Sequence, residues 1–153
     1  MTGIMARIRR ILYATDFSSA SRRAFATAMA LAKANRATLT ILHVIVPIAP
    51  LVPEQYLDTM AWARLDVQAR RWGHAQLARL AARARKIGLR VTTLLLEGDP
   101  SRHILRAARG MGVDFVVMGT HGRTGFSKFL LGSVAERVIA TASCAIVTVR
   151  GKS

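Results

Sequence analysis

Five short apolar runs, separated by segments of helical length, constrain the fold more than any other feature of this sequence. The runs are apolar along most of their length and rich in β-branched residues, as is typical of strands buried on both faces of a sheet. They are Ile8–Ala14, Ala37–Val46, Leu89–Leu96, Val113–Met118 and Ala145–Val149. Because strands that alternate with helices pair in parallel, the pattern predicts a doubly wound α/β fold with helices on both faces of the sheet.

Four helices are predicted between these strands. They are expected over Ser19–Asn35, over Glu54–Lys86, after the Asp99–Pro100 pair and after the Gly132–Ser133 pair. Gly73 is expected to kink or split the long second helix. Asp99 is a typical N-cap, and Pro100 suits the first helical position because its missing N–H has no partner to lose there.

Composition limits the class of protein. A chain of 153 residues fits one domain, so we expect a single domain over residues 1–153. No apolar run reaches the roughly 18 residues that a membrane-spanning helix needs, and the short apolar run near the N-terminus does not predict a signal peptide. The one cysteine, Cys144, excludes an internal disulfide, suits a small core residue and favours a cytoplasmic protein.

The net charge of +15 is unusual for such a domain. A basic surface attracts nucleic acid and anionic membranes without specificity. However, the cations are dispersed along the chain, and aromatic residues make up 6% of it, which leaves few platforms for stacking bases. A basic scaffold therefore stays an alternative, and the sequence does not favour nucleic acid as the main partner.

One segment concentrates glycine at the junction between the fourth strand and the last helix. It reads GTHGRTGFSKFLLGS and runs from Gly119 to Ser133. Ligands bind such folds at the carboxyl ends of the strands, where this segment lies. Glycines allow positive φ angles and a close approach of anions to the backbone, and a helix N-terminus attracts negative charge. Ser133 adds a hydroxyl group, and Arg123 and Lys128 add positive charge.

The same segment also has a purely structural interpretation. A glycine-rich loop can serve only as a turn, and Ser133 can be an ordinary helix cap. The segment lacks the G-x-x-x-x-G-K-[ST] pattern of a Walker loop, and the dinucleotide fingerprint belongs after a first strand. From the residues alone, the interpretation stops at an anion site that could take a nucleotide.

Four segments together resemble the universal stress protein family. Gly119, Gly122, Gly132 and Ser133 match the family's nucleotide motif, G-x2-G-x9-G-[ST]. In order along nearly the whole chain, the four similar stretches are ILYATDFS, LTILHVI, GDPSRHI and DFVVMGTHGRTGFSKFLLGSVAERVI, the last of which contains this motif. The resemblance implies a five-stranded parallel sheet in the order 3-2-1-4-5, similar to Rossmann-like and adenine nucleotide alpha hydrolase-like folds.

The resemblance also implies a ligand and an assembly. Relatives that keep the glycine motif bind ATP, so ATP is the expected ligand, with Mg²⁺ or Mn²⁺ shared between its phosphates. A homodimer joined through the last strand is expected, together with an unidentified regulatory protein partner. No cluster of His, Cys and Asp residues has the spacing of a metal site formed by the protein itself.

Site residues follow from the resemblance position by position. Asp16 and the backbone of Val44 are expected at the adenine and ribose end, with Met118 and Gly119 along the ribose. The phosphates are expected among Gly122, Arg123, Gly132, Ser133 and Val134, with His121 ordering the loop. Ala14 and Thr15 precede Asp16, and Ala14 departs from the family, which often has proline there. This removes a fixed φ angle beside the adenine pocket.

The residues favour binding over catalysis. Phosphoryl transfer needs a group that positions the attacking water or hydroxyl, and the glycine loop contains no acidic residue. We therefore expect a nucleotide-dependent sensor in the stress response, with a slow ATPase or phosphotransferase as the alternative. His43 is expected to be a core histidine, and His74 and His103 are expected on helix surfaces.

Overall fold

A computed structural model describes residues 7–47, 53–56, 58–121 and 131–151 of the chain. It contains a five-stranded sheet in the order β3-β2-β1-β4-β5, and every neighbouring pair of strands is parallel. The strands are β1 (Arg10–Ala14), β2 (Thr38–Ile45), β3 (Val91–Glu97), β4 (Phe115–Gly119) and β5 (Ala145–Val149). The predicted fold class and strand order are both confirmed.

Four α-helices cover the two faces of this sheet. They are α1 (Ser19–Asn35), α2 (Thr59–Lys86), α3 (Pro100–Met111) and α4 (Ser133–Thr141). Buried side chains of α1 and α2 pack in one core cluster, and those of α3 and α4 pack in the other. Within the described ranges, no helix combines the length and the apolarity that crossing a lipid bilayer requires.

The central strand β1 shows how the sequence builds both cores. Ile11 and Tyr13 point to the α1–α2 face, and Leu12 and Ala14 point to the α3–α4 face. All four are buried, and full burial of a large apolar side chain contributes about 1.5–3 kcal/mol. Burial also raises the pKa of Tyr13, whose hydroxyl donates to the carbonyl of Ser21 at 2.7 Å.

The second helix differs from its prediction in two ways. It begins at Thr59 rather than Glu54, because the Asp58 side chain caps it by accepting from the N–H groups of Met60 and Ala61. It also runs unbroken through Gly73. A Cβ on Gly73 would lie 2.9 Å from Cδ1 of Leu95, so this glycine serves the close approach of α2 to β3.

Candidate functional site

The carboxyl ends of β1, β2 and β4 open into a cavity of about 300 Å³. Every predicted site residue that the structure describes lines this cavity. These residues are Ala14, Thr15, Asp16, Val44, Met118, Gly119, His121, Gly132, Ser133 and Val134. The predicted residues Gly122 and Arg123, and the nearby Lys128, lie outside the described residues.

The inner wall of the cavity is apolar. Leu42 and Val44 both line it because residues two apart in a strand share one face. Met118 comes from β4, and Ile104 comes from α3 across the α3–α4 face. These four side chains are at most 8% exposed, so they form a packed floor suited to a flat apolar ring.

The loop after β1 is held in place by backbone and side-chain hydrogen bonds. The N–H of Thr15 donates to the carbonyl of Leu42 at 2.9 Å, and the Thr15 hydroxyl accepts from the N–H of Phe17 at 2.9 Å. The Asp16 carboxylate accepts from the N–H of Ser18 at 2.9 Å. Asp16 is therefore fixed at the cavity wall.

The side chain of His43, in β2, contacts this loop. Its Nδ1 lies 2.8 Å from the carbonyl oxygen of Thr15, and its ring centroid lies 4.4 Å from that of Phe17. At 8% exposure it is a buried histidine with a hydrogen-bond partner, which confirms the sequence interpretation. Its contacts give it a positioning role, since it holds the carbonyl that precedes Asp16.

Thr120 connects β4 to α4, and the sequence analysis missed it. Its N–H donates to the carbonyl of Val149, and its own carbonyl accepts from the N–H of Gly132 at 2.7 Å. Its hydroxyl lies 2.8 Å from Nδ1 of His121. Nε2 of His121 is buried and has no hydrogen-bond partner among the described residues. Thr120 thus sets both the start of α4 and the ring of His121.

Helix α4 begins differently from the other helices. Its N-cap is Gly132, which makes no side-chain capping bond. The first bond within the helix runs from the N–H of Glu136 to the carbonyl of Gly132. The N–H groups of Ser133, Val134 and Ala135 therefore precede the first hydrogen bond of the helix, and these three residues line the cavity. Ser133 is the first helical residue, so its interpretation as an ordinary cap is wrong.

Gly119 lines the cavity without using the positive φ angle that glycine permits. Its φ angle is not positive, so conformational freedom does not account for it. A Cβ there would lie 3.1 Å from the backbone carbon of Ala20 and 3.1 Å from the nitrogen of Ser21. The glycine lets β4 pass close to the first turn of α1, and the Asp16 loop that precedes α1 lines the same cavity.

Charge is sparse in the described lining. Asp16 is the only carboxylate among those lining residues, and no Lys or Arg is among them. Elsewhere in the described ranges, no three His, Cys, Asp or Glu side chains group closely enough to hold a metal ion. Sequence reasoning also missed Ser21, Leu42, Val46, Pro100, Ile104 and Ala135 in the lining. Strand and helix periodicity could have indicated Leu42 and Ile104.

Comparison with known proteins identifies the family to which this fold belongs. A family model described as the universal stress protein family matches residues 7–150. This chain belongs to the universal stress protein family. A universal stress protein of Thermus aquaticus is 34% identical over 142 residues, which cover 93% of this chain and 98% of the relative.

Solved structures of the family share the fold. The structure of protein MJ0577 superposes with a TM-score of 0.82 at 26% identity, over 97% of this chain and 99% of that one. A universal stress protein in complex with cAMP has a TM-score of 0.69 at 23% identity, over 96% of this chain and 100% of that one. The universal stress protein from Archaeoglobus fulgidus, in complex with dAMP, has a TM-score of 0.62 at 20% identity, over 94% of this chain and 99% of that one.

Proposed function

We propose that this universal stress protein binds ATP in the cavity at the carboxyl ends of its strands and acts as a nucleotide-dependent regulator of a stress response. The observation that carries the proposal is the open N-terminus of α4. Ser133, Val134 and Ala135 line the cavity, and no side chain caps the helix that they begin; such a helix end attracts phosphate.

The other end of the cavity suits a nucleoside. Leu42, Val44 and Met118 offer a buried apolar floor for the adenine ring. We assign the backbone of Val44 and the Asp16 carboxylate to this end, where the carboxylate would accept hydrogen bonds from a ribose hydroxyl or a base amine. A cavity of about 300 Å³ matches the lower end of the range found for small-molecule sites.

The phosphates are assigned to the α4 end. Gly132, Ser133 and Val134 would hold them through backbone N–H groups and the Ser133 hydroxyl, with His121 beside them, whereas Gly119 stays with Met118 along the ribose. Gly122 and Arg123 are proposed to complete this end. Mg²⁺ or Mn²⁺ would neutralise the phosphates and be held mainly through them, since the described lining supplies no cluster of metal ligands.

The described cavity supports binding rather than turnover. Asp16 is the only carboxylate among the described lining residues, and it accepts a hydrogen bond from the N–H of Ser18. It is also assigned to the nucleoside end, away from the phosphate that hydrolysis would attack. We propose that nucleotide occupancy changes the loops around the cavity and that a regulatory protein recognises that state.

The assembly and location belong to the same proposal. β5 is an edge strand of the sheet, and its outer backbone groups could pair with a second copy of the chain. We propose a homodimer joined through β5 in the cytoplasm. The family structures in complex with cAMP and dAMP support an adenine nucleotide as the ligand class, although their low identity to this chain establishes only a shared fold.

Calorimetric titration of the purified chain with ATP, ADP and adenosine tests this function. We expect ATP to bind at least about tenfold more tightly than adenosine, because the helix end and its charge-assisted hydrogen bonds contact phosphate. Ser133→Ala should weaken ATP about threefold to tenfold and leave adenosine unchanged. Absence of binding by every adenine nucleotide would contradict the proposal. Steady phosphate release that Asp16→Ala abolishes would instead indicate a slow ATPase.

A further inference from the structure

A second cavity, of about 270 Å³, lies at the amino ends of the strands, opposite the cavity at their carboxyl ends. Arginines stand at or just before the starts of β1, β2 and β3, which are neighbours in the sheet. Because parallel strands begin at the same edge, these side chains converge. The arginines that line the cavity are Arg7, Arg9, Arg10, Arg36 and Arg90, together with Ile8, Asn35 and Thr38.

Within the described part of the chain, no carboxylate pairs with this cluster. All five arginines are exposed, and none of their guanidinium groups forms an ion pair within 4.0 Å with a described residue. The nearby acidic group of Asp114 accepts from the backbone N–H groups of Arg9 and Arg10 at 2.7 and 2.9 Å. These two hydrogen bonds, and the positive charges of Arg10 and Arg9 to a smaller extent, lower the pKa of Asp114.

Two of the arginines have a structural role. Arg10 donates to the carbonyl of Met111 at the end of α3, at 2.6 Å. Arg90 donates to the carbonyl of Arg36 after the end of α1, at 3.2 Å. Capping of helix carbonyls is an ordinary role for arginine. It does not account for Arg7, Arg9 and Arg36, whose side chains make no hydrogen bond to a described residue.

Arg36 stands at a position that favours another residue. It is the C-cap of α1 and has a φ angle of 54°, in the left-handed region. Glycine or asparagine is favoured there because a larger side chain strains the backbone. An arginine at this position adds a cation to the cluster against the local conformational preference, which indicates a role for its charge.

We propose that this cavity binds an anion with two or more linked phosphates, recognised through its phosphates alone. Guanidinium groups match the paired oxygens of a phosphate, and three of them have no acceptor among the described residues. The lining residues include no aromatic side chain on which a base could stack. The site lies on the edge of the sheet away from the ATP cavity and does not depend on the function proposed there.

Calorimetric titration with sodium tripolyphosphate tests the site with matched variants. The test variant is Arg9→Gln with Arg36→Gly, since glycine keeps the left-handed backbone while it removes the charge. The control is Arg79→Gln with Arg106→Gln, two exposed helix arginines outside the cavity that give the same net charge. We expect a loss of about tenfold or more in the test variant and less than twofold in the control.

Two additional variants distinguish binding at the arginines from binding at the ATP cavity. Gly132→Val, which alters the ATP cavity, should leave tripolyphosphate binding at the arginines unchanged. The single variant Arg9→Gln, with about a threefold loss, tests the site if the double variant does not fold. Equal losses of tripolyphosphate affinity in the test and control variants would overturn the proposal. A loss of affinity only in Gly132→Val would also overturn it, as would arginine-dependent binding of a DNA duplex without binding of tripolyphosphate.

Discussion

Helices α3 and α4 both begin at the cavity, and their first residues differ in one decisive respect. Asp99 caps α3 by accepting from the N–H of Arg102 and the hydroxyl of Ser101. Gly132 begins α4 and offers no side chain. A carboxylate stands at the N-cap of α3, whereas the acidic residue in the first turn of α4, Glu136, lies inside the helix and leaves the N-cap position without a charge. This difference is the reason why we propose anion binding at α4 rather than at α3.

Helices α1 and α2 extend the comparison. Ser18 and Asp58 cap them through their side chains, just as Asp99 caps α3. The sequence therefore provides a side-chain cap at each of these three helices and leaves one out at α4. Glycine at the N-cap costs only a few tenths of a kcal/mol relative to a good cap, so α4 can leave its first N–H groups without a side-chain partner at little loss of stability.

The largest expected effect comes from giving α4 the cap that α3 has. Gly132→Asp should weaken ATP binding on the order of 100-fold, because a full negative charge would stand where the phosphates are proposed to bind. The same change should keep or raise the melting temperature, since aspartate is a good N-cap. Calorimetry and thermal unfolding measure the two effects.

Gly132→Asn is the matched control for that change. Asparagine caps without charge, so it should weaken ATP much less than aspartate does while it stabilises α4 by a similar amount. Equal losses of affinity for the two variants would show that side-chain bulk, rather than charge, is what the α4 end excludes.

A second prediction tests the packing role of Gly119, the first glycine of the motif. Gly119→Ala should destabilise the fold by about 1–3 kcal/mol, because the new Cβ would crowd the backbone of Ala20 and Ser21. Gly110→Ala in α3 is the control, since no atom lies within 4 Å of its Cβ position, and it should stabilise by about 0.5 kcal/mol. Denaturant unfolding measures both, and an unaffected Gly119→Ala variant would contradict the packing role.

The smallest effect concerns the pH dependence of the α3 cap. Hydrogen bonds from Ser101 and Arg102 lower the pKa of Asp99 below its usual 3.8. Its stabilising contribution is therefore present above about pH 4 and lost as the pH falls through the lower folded-state pKa. Asp99→Asn should remove this acid-dependent loss and change ATP affinity less than twofold. The melting temperature should differ by a few degrees at most.

Much of the fold could be predicted because its signals are local. The β-branched runs set the strands, and Asp99–Pro100 set the start of α3 to the residue. The ends of strands were less predictable: β1 begins at Arg10 rather than Ile8, since pairing with a neighbour, and not hydropathy, decides where a ladder begins. The start of α2 was predicted at Glu54, although Asp58 is a local capping signal that indicates a start at Thr59.

The residues of the candidate site could be predicted where their type and spacing in the sequence indicate a role. They could not be predicted where the role depends on contacts between distant parts of the chain. The glycine motif and Asp16 are visible in the sequence. The packing of Gly119 against α1 is not, because it joins elements that are distant along the chain. The same holds for the carbonyl of Thr120 that receives the N–H of Gly132, and for the arginines that three strand starts bring together.

Backbone amide NMR during titration with ATP, and in parallel with adenosine, tests the central claim most directly. We predict that the N–H signals of Ser133, Val134 and Ala135 shift strongly with ATP and weakly with adenosine, whereas the signal of Arg102 at the capped start of α3 changes little with either. Binding of ATP that leaves these three α4 signals unmoved would contradict the account.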